Sequence, residues 1–154
     1  MQTLPVRYLF VYGTLRRGEE RDINLLRPRP DALGLGMAHG VLYDLGAYPG
    51  MQVGDQGCTD KVCGEIYCIT AELEQLLDQI EEVWPQQTGE YAKREMWVQM
   101  DSSSTLNRIQ TPNQTPSQLK CLVYAVSTLH AHGKPIISSG DWVSYRTQKA
   151  QPNL

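Results

Sequence analysis

The feature that most constrains the fold is an apolar run near the start of the chain that stops at a glycine. Residues 6–12, VRYLFVY, are mostly β-branched or aromatic, which is typical of a strand covered on both faces. Gly13 follows, and a residue without a Cβ atom lets the backbone turn sharply and leave its next N–H groups unpaired. The pattern therefore predicts a buried strand followed by either an ordinary turn or a loop whose amides bind an anion.

Composition favours one globular domain and argues against nucleic acid as a partner. The chain has 154 residues, of which 41% are hydrophobic and 20% charged, and its formal net charge is -3. It has no basic segment followed by a long apolar one and no apolar run of membrane length. We therefore expect one domain over residues 1–154, a cytoplasmic location and no membrane contact. Arg16 and Arg17, beside the glycine, would either attract an acidic small molecule or lie in solvent.

The cysteines and histidines do not match a metal or disulfide motif. The cysteines are Cys58, Cys63, Cys68 and Cys121. None belongs to a Cys-x-x-Cys pair, and the odd separation of Cys63 and Cys68 places them on opposite faces of a strand. His130 and His132 have no third ligand beside them in the sequence, so they are interpreted as loop residues. We expect reduced thiols and no metal.

A second informative stretch, residues 40–50, predicts a strand that enters a rigid loop. Its sequence is GVLYDLGAYPG, and the Tyr-Pro-Gly at its end is typical of a type II turn. The Gly34-x-Gly36 pair that precedes it lacks the third glycine and the following helix of a dinucleotide-binding motif. A Rossmann site is therefore excluded.

One amphipathic helix is predicted from residue 71 to about residue 83. Thr70 is a suitable N-cap, and Pro85 prevents continuation. The apolar stripe of this helix consists of Leu73, Leu76, Leu77, Ile80 and Trp84. Further strands are predicted at residues 61–69, 91–100 and 119–126. Residues 101–118 are almost all Ser, Thr, Asn, Gln and Pro, so we expect a flexible insertion there.

Carboxylates near the end of this helix are the candidates for acid/base chemistry. At roughly 100° per residue, Glu81 lies about 80° from the centre of the apolar stripe and Glu82 lies almost opposite it. Glu81 can therefore reach a cavity beside the core, whereas Glu82 should face water. Glu74 shares the flank of Glu81, and Glu90 follows soon after, so both stay open as alternatives.

Several blocks, in order along the chain, resemble the gamma-glutamylcyclotransferase-like family, in its avirulence-induced-gene-like branch. The blocks are Tyr12-Gly13-Thr14-Leu15, residues 40–50, Val62-Cys-Gly-Glu-Ile-Tyr67, Leu77-Asp-Gln-Ile-Glu81, Tyr91 with Arg94, and Ser139-Gly-Asp-Trp142. The resemblance implies an α+β fold, a mixed and largely closed β-barrel of about six strands with one principal helix. In the last block, Asp141 is expected to fasten a turn and Trp142 to pack the terminus.

The resemblance also implies a reaction. The free α-amine of a γ-glutamyl amine attacks its own side-chain amide and releases an amine and 5-oxoproline, without a cofactor. Glu81 matches the proposed acid/base residue, although Glu82 stands where relatives usually have glycine, which leaves Glu82 and Glu90 as rival candidates. The substrate-binding positions implied are Tyr12, Gly13, Thr14, Leu15, Tyr43, Leu45, Gly46, Tyr48, Pro49 and Tyr91. Alternatives are a binding module without chemistry and a hydrolase that yields glutamate from the same site.

Overall fold

Six strands and three helices make up the part of the chain that the structure describes. The computed structural model describes residues 7–54, 57–82, 87–101 and 118–150. In chain order the elements are β1 (Arg7–Val11), a 3₁₀ turn (Ile23–Leu25), β2 (Asp31–Asp44), β3 (Pro49–Val53), β4 (Lys61–Ile69), α1 (Ala71–Ile80), β5 (Tyr91–Met100), β6 (Gln118–Val126), α2 (Thr128–Ala131) and α3 (Trp142–Ala150).

The strands form a closed mixed barrel with one additional strand. Their order is β3-β2-β4-β1-β6-β5, and β2 also pairs with β5, which closes the ring through β2, β4, β1, β6 and β5. The pairing of β1 with β6 is parallel, with Tyr8 opposite Cys121, and the other pairings are antiparallel. The predicted α+β barrel is confirmed, except that five strands close it and β3 extends its edge.

Strand β1 separates two hydrophobic cores, which explains its unbroken apolar sequence. Phe10 and Tyr12 belong to the core inside the barrel. Leu9 and Val11 belong to a second core, which they share with Leu73 and other apolar residues of α1. Because successive strand residues alternate between faces, a strand with a core on each side needs apolar residues throughout.

Helix α1 begins as predicted and ends earlier than predicted. The Thr70 side chain accepts a hydrogen bond from the Leu73 N–H at 3.2 Å, which satisfies an N-terminal amide. The helix ends at Ile80, and Glu81 is its C-cap. The next residue, Glu82, has a φ of 57°, the left-handed conformation that often ends a helix. The expected end near residue 83, with Trp84 and Pro85, lies outside the described residues.

One prediction about local structure is corrected, and one helix had not been predicted. Pro49 and Gly50 begin β3 and do not form a type II turn; the turn comes before them, where the Leu45 N–H donates to the Tyr48 carbonyl at 3.0 Å. Helix α3, whose nine residues follow Asp141, was not among the elements predicted from the sequence. Asp141 accepts a hydrogen bond from the Ser144 N–H at 3.2 Å and so helps to start that helix.

Other expectations concern the thiols and the polar segment. The four cysteines are free. Of the predicted insertion at 101–118, residues 102–117 lie outside the described residues. Within the described ranges, no helix combines the length and apolar character that a membrane crossing requires.

Candidate active site

A cavity of about 170 Å³ opens where β1 ends, between the glycine turn and the end of α1. Its lining residues are Phe10, Val11, Tyr12, Gly13, Thr14, Leu15, Arg21, Tyr48, Pro49, Ile80, Glu81, Glu82, Glu90, Tyr91 and Tyr124. Strand, turn and helix residues far apart in the sequence thus meet around one small volume.

The loop of residues 13–15 lines the cavity with backbone amides that lack partners. Its carbonyls are occupied, because Gly13, Thr14 and Leu15 accept hydrogen bonds from the N–H groups of residues 16, 21 and 23 at 3.0, 2.9 and 2.9 Å. No described residue accepts a hydrogen bond from the N–H groups of these three residues. Buried amides are nearly always paired, so three free ones beside a cavity are suited to an anionic ligand.

Two tyrosines of the cavity wall, Tyr12 and Tyr91, have their hydroxyl groups fixed by hydrogen bonds. Tyr12 donates to the Tyr124 carbonyl at 2.7 Å and accepts from the Met51 N–H at 3.1 Å. The Tyr91 hydroxyl donates to the Pro49 carbonyl at 2.8 Å. Burial raises the pKa of both phenols, so they stay neutral. These rings therefore shape the cavity without adding charge.

Glu81 presents the carboxyl group that is best suited to exchange a proton. Burial raises its pKa to about 7; Arg21 opposes this shift, while Glu90 and Glu82 add to it. Glu81 is partly buried, and no described residue hydrogen-bonds its carboxyl group. Near neutral pH both protonation states are populated, as an acid/base residue requires.

The three alternative carboxylates have different surroundings. Glu90 lines the cavity, but the Tyr48 hydroxyl donates to it at 2.7 Å. Glu82 lines the cavity and is exposed. Glu74 is not a lining residue, because it is buried in ion pairs with Arg7 at 3.2 Å and with Lys93 at 2.6 Å. Glu74 therefore holds α1 against β1 and β5 through these ion pairs.

A polar network holds α1 against β5 and β6. Lys93 bridges Glu74 and Asp78, with 3.0 Å between its Nζ and the Asp78 carboxylate. The Tyr124 hydroxyl donates to the same Asp78 at 2.7 Å. Because Tyr124 also lines the cavity and Asp78 lies one turn before Glu81, this network positions the end of α1 that carries Glu81 relative to the cavity wall.

The basic residues near the glycine turn differ from expectation. Arg16 is buried, pairs with Glu65 at 3.2 Å and Asp141 at 3.0 Å, and does not line the cavity. Arg17 is exposed, and its backbone N–H donates to Glu65 at 3.0 Å. Among the described residues of the cavity wall the basic side chain is that of Arg21, which the sequence analysis did not single out.

Three of the residues expected to bind substrate do not line the cavity. Tyr43 pairs with Gly50 across β2 and β3 and forms a bridge to Ile136. Leu45 packs over Gly50, and Gly46 is an exposed turn residue with a φ of 110°. The strand pairing directs this part of the block away from the cavity, whereas Tyr48 and Pro49, at its far end, reach the wall.

Tyr124 and Arg21 are the informative residues that the sequence reading missed. A parallel pairing of β1 with β6 would have placed Tyr124 near Tyr12, but strand order is not visible in one sequence. Arg21 lies in a polar loop without a motif. The other expected residues, Tyr12, Gly13, Thr14, Leu15, Tyr48, Pro49, Glu81 and Tyr91, lie together around the cavity.

The fold and the cavity define a mixed β-barrel protein whose candidate small-molecule site combines a backbone-amide loop with a carboxyl group of raised pKa. The chain belongs to the family described as Gamma-glutamyl cyclotransferase, AIG2-like, whose model matches residues 9–144. A relative from Vibrio cholerae named "Putative gamma-glutamylcyclotransferase" is 39% identical over 75 residues, which is 49% of this chain and 62% of that protein.

Solved structures resemble the fold over nearly the whole chain. An AIG2-like protein from Mus musculus has a TM-score of 0.68 and 22% identity, covering 97% of this chain and 96% of its own. YkqA from Bacillus subtilis also has a TM-score of 0.68, with 23% identity, but the match covers only 44% of that longer chain. At these identities the likeness concerns the fold.

Proposed function

We propose that this protein is a γ-glutamyl cyclotransferase that converts a γ-glutamyl amine into 5-oxoproline and a free amine, with Glu81 as acid and base. The observation that carries the proposal is that Glu81, with a pKa raised to about 7, shares one cavity with the unpaired amides of residues 13–15. The family membership of the chain supports the same reaction.

The first chemical need is a base for the substrate. An α-ammonium group with a reference pKa of about 7.7 to 8.0 is mostly protonated at neutral pH and cannot attack. Glu81 in its carboxylate form takes a proton from this nitrogen, whose lone pair then forms a bond to the γ-carbonyl carbon. Because the nucleophile belongs to the substrate, the protein needs only to place the two ends of one molecule together.

The second need is stabilisation of the tetrahedral intermediate. Its oxyanion is expected to accept hydrogen bonds from the N–H groups of Gly13, Thr14 and Leu15, which face no competing described acceptor. Removal of a single such donor costs on the order of 100-fold in rate in other enzymes. These amides lose no hydrogen bond when the intermediate forms, since they are already free.

The third need is an acid for the departing nitrogen. Protonated Glu81 donates to it as the bond to the γ-carbonyl carbon breaks. Over the whole reaction the α-nitrogen changes from NH3+ to the lactam N–H, and the departing nitrogen changes from an amide N–H to NH3+. Two protons therefore pass between the nitrogens, and the carboxyl group ends in its starting state.

The test compares Glu81→Gln with Glu72→Gln on a panel of γ-glutamyl amines. Glu72 is exposed in the first turn of α1, so its variant controls for the loss of one charge on the same helix. We expect Glu81→Gln to lose 5-oxoproline release at least about 1,000-fold while remaining folded, and Glu72→Gln to retain it. Full turnover by Glu81→Gln would remove the assignment.

The product distinguishes the alternatives. Release of free glutamate in place of 5-oxoproline would indicate a hydrolase. Saturable binding of γ-glutamyl amines without either product would indicate a binding module on the same fold.

A further inference from the structure

Arg21 contributes the positive charge of the cavity wall. Among the described lining residues it is the one lysine or arginine, and it faces a wall that also contains Glu81, Glu82 and Glu90. A single cation in a cavity whose other charged residues are acidic is a strong candidate for recognising an anionic group of the ligand, because a carboxylate beside those acidic residues would meet like charge.

The backbone of Arg21 is attached to the loop of unpaired amides. Its N–H donates to the Thr14 carbonyl at 2.9 Å, which places the residue directly beside residues 13–15. Its guanidinium has no hydrogen bond or ion pair with any described residue, in contrast to the buried Arg16. Arg21 therefore keeps all five guanidinium donors available for a ligand.

The positive charge of Arg21 acts on the carboxyl group of Glu81. It lowers the pKa of Glu81 against the larger effect of burial, and it acts in the same sense on the Tyr48 phenol. Arg21 and Glu81 are thus close enough to act on a single small ligand within a cavity of about 170 Å³.

The arrangement matches the charges on one carbon atom of the substrate. A γ-glutamyl group carries an ammonium and a carboxylate on its α-carbon, so the two charges are separated by only a few bonds. When the ammonium lies at Glu81, the carboxylate has to lie nearby, and Arg21 is the described cation of the wall. The amides of residues 13–15 then remain available for the oxyanion.

We propose that Arg21 is a specificity-determining residue that binds the α-carboxylate of the γ-glutamyl group and so restricts the site to substrates with a free α-amino acid end. This inference rests on the proposed function. A charge-assisted hydrogen bond of this kind corresponds to a preference of about 10- to 100-fold.

The test uses two substrates that differ only in that carboxylate. The first is γ-glutamyl n-butylamide, and the second is 4-aminobutanoyl n-butylamide, which cyclises to 2-pyrrolidinone. We expect Arg21→Gln to lower kcat/KM for the first substrate by about 10- to 100-fold more than for the second, with the difference mainly in KM. Where the second substrate turns over too slowly, inhibition constants of 5-oxoproline and 2-pyrrolidinone give the same comparison.

Matched variants separate binding from folding. Arg17→Gln removes an exposed arginine four positions away that does not line the cavity. This variant should leave the ratio of the kcat/KM values for the two substrates unchanged. Arg21→Lys keeps the charge without the fork of donors and should give an intermediate ratio. Because both substrates use Glu81, any effect of Arg21 on that residue or on stability cancels in the ratio.

Two outcomes are decisive and distinguishable. Equal losses for both substrates in Arg21→Gln would overturn the role of Arg21 while leaving the cyclotransferase activity in place. Release of neither lactam by the unaltered protein would overturn the proposed function instead. In that case, calorimetry would compare the affinity of 5-oxoproline for the unaltered protein and for Arg21→Gln. Equal affinities would overturn the proposed role of Arg21.

Discussion

Gly13 and Pro49 are in such close contact that a methyl group at Gly13 would lie 2.6 Å from Pro49 Cγ. The contact joins the glycine turn after β1 to the first residue of β3, and both residues line the cavity. The absence of a side chain at position 13 is therefore a packing requirement, in addition to the freedom that glycine gives the turn.

Gly13→Ala should destabilise the protein and displace the amide loop. Forcing a methyl group into this contact costs roughly 1 to 3 kcal/mol, and a displacement of about 1 Å in the loop lowers kcat/KM by about 100-fold. Gly57→Ala is the matched control, because no described residue other than its chain neighbours has an atom within 4 Å of the added carbon. Urea unfolding and 5-oxoproline release measure the two effects, and Pro49→Ala in the Gly13→Ala background should recover part of the stability.

Glu82→Gly should stabilise the protein and shift its pH profile. A residue with a side chain at a φ of 57° is strained relative to glycine, and an acidic residue at a helix C-terminus is unfavourable, so a gain of about 1 kcal/mol is expected. Loss of the negative charge lowers the pKa of Glu81, which moves the acidic limb of kcat/KM to lower pH. Glu82→Ala should shift the limb equally but give a smaller gain in stability, because alanine removes the charge and keeps the backbone strain. An equal gain from alanine would contradict the backbone explanation.

The raised pKa of Glu81 predicts how stability depends on pH. The folded state keeps the proton up to about pH 7, whereas an ordinary glutamate with a pKa of 4.5 releases it earlier. Folding is therefore favoured by protonation, and stability is lost as pH rises through this interval, by on the order of 3 kcal/mol. Glu81→Gln should lack this loss. Parallel pH dependences of the two unfolding free energies, measured in urea from pH 4.5 to 7.5, would contradict the raised value.

Tyr12→Phe should destabilise the barrel without changing its apolar core. The variant leaves the Met51 N–H, which donates to the Tyr12 hydroxyl at 3.1 Å, without its acceptor in a buried region. The expected cost is about 1 to 3 kcal/mol, equivalent to a Tm decrease of several degrees. Tyr8→Phe, at a side chain 37% exposed, is the control and should leave Tm nearly unchanged. Thermal unfolding followed by circular dichroism distinguishes the two.

The sequence could predict the elements whose pattern records local burial. The unbroken apolar run of β1 reflects the two cores that it separates. The alternation of side chains along residues 61–69 predicted the bounds of β4. The angle between Glu81 and the apolar stripe of the predicted helix indicated that Glu81 can reach a cavity. The sequence could not predict ion pairs between distant residues, so Arg16 could not be distinguished from Arg21 before the strands were assembled. Helix α3 was missed because its large apolar residues, Trp142, Val143 and Tyr145, are confined to its first turn and do not repeat along the helix.

The parallel pairing of β1 with β6 determines when the candidate site can exist during synthesis. The hydroxyl of Tyr12 bonds to a carbonyl 112 residues later in the chain, and Tyr124 forms part of the same cavity wall. At about 5 to 20 residues per second, a ribosome needs several seconds to make that interval. The nascent chain therefore exposes one side of β1, and the cavity closes only after β6 has emerged from the exit tunnel.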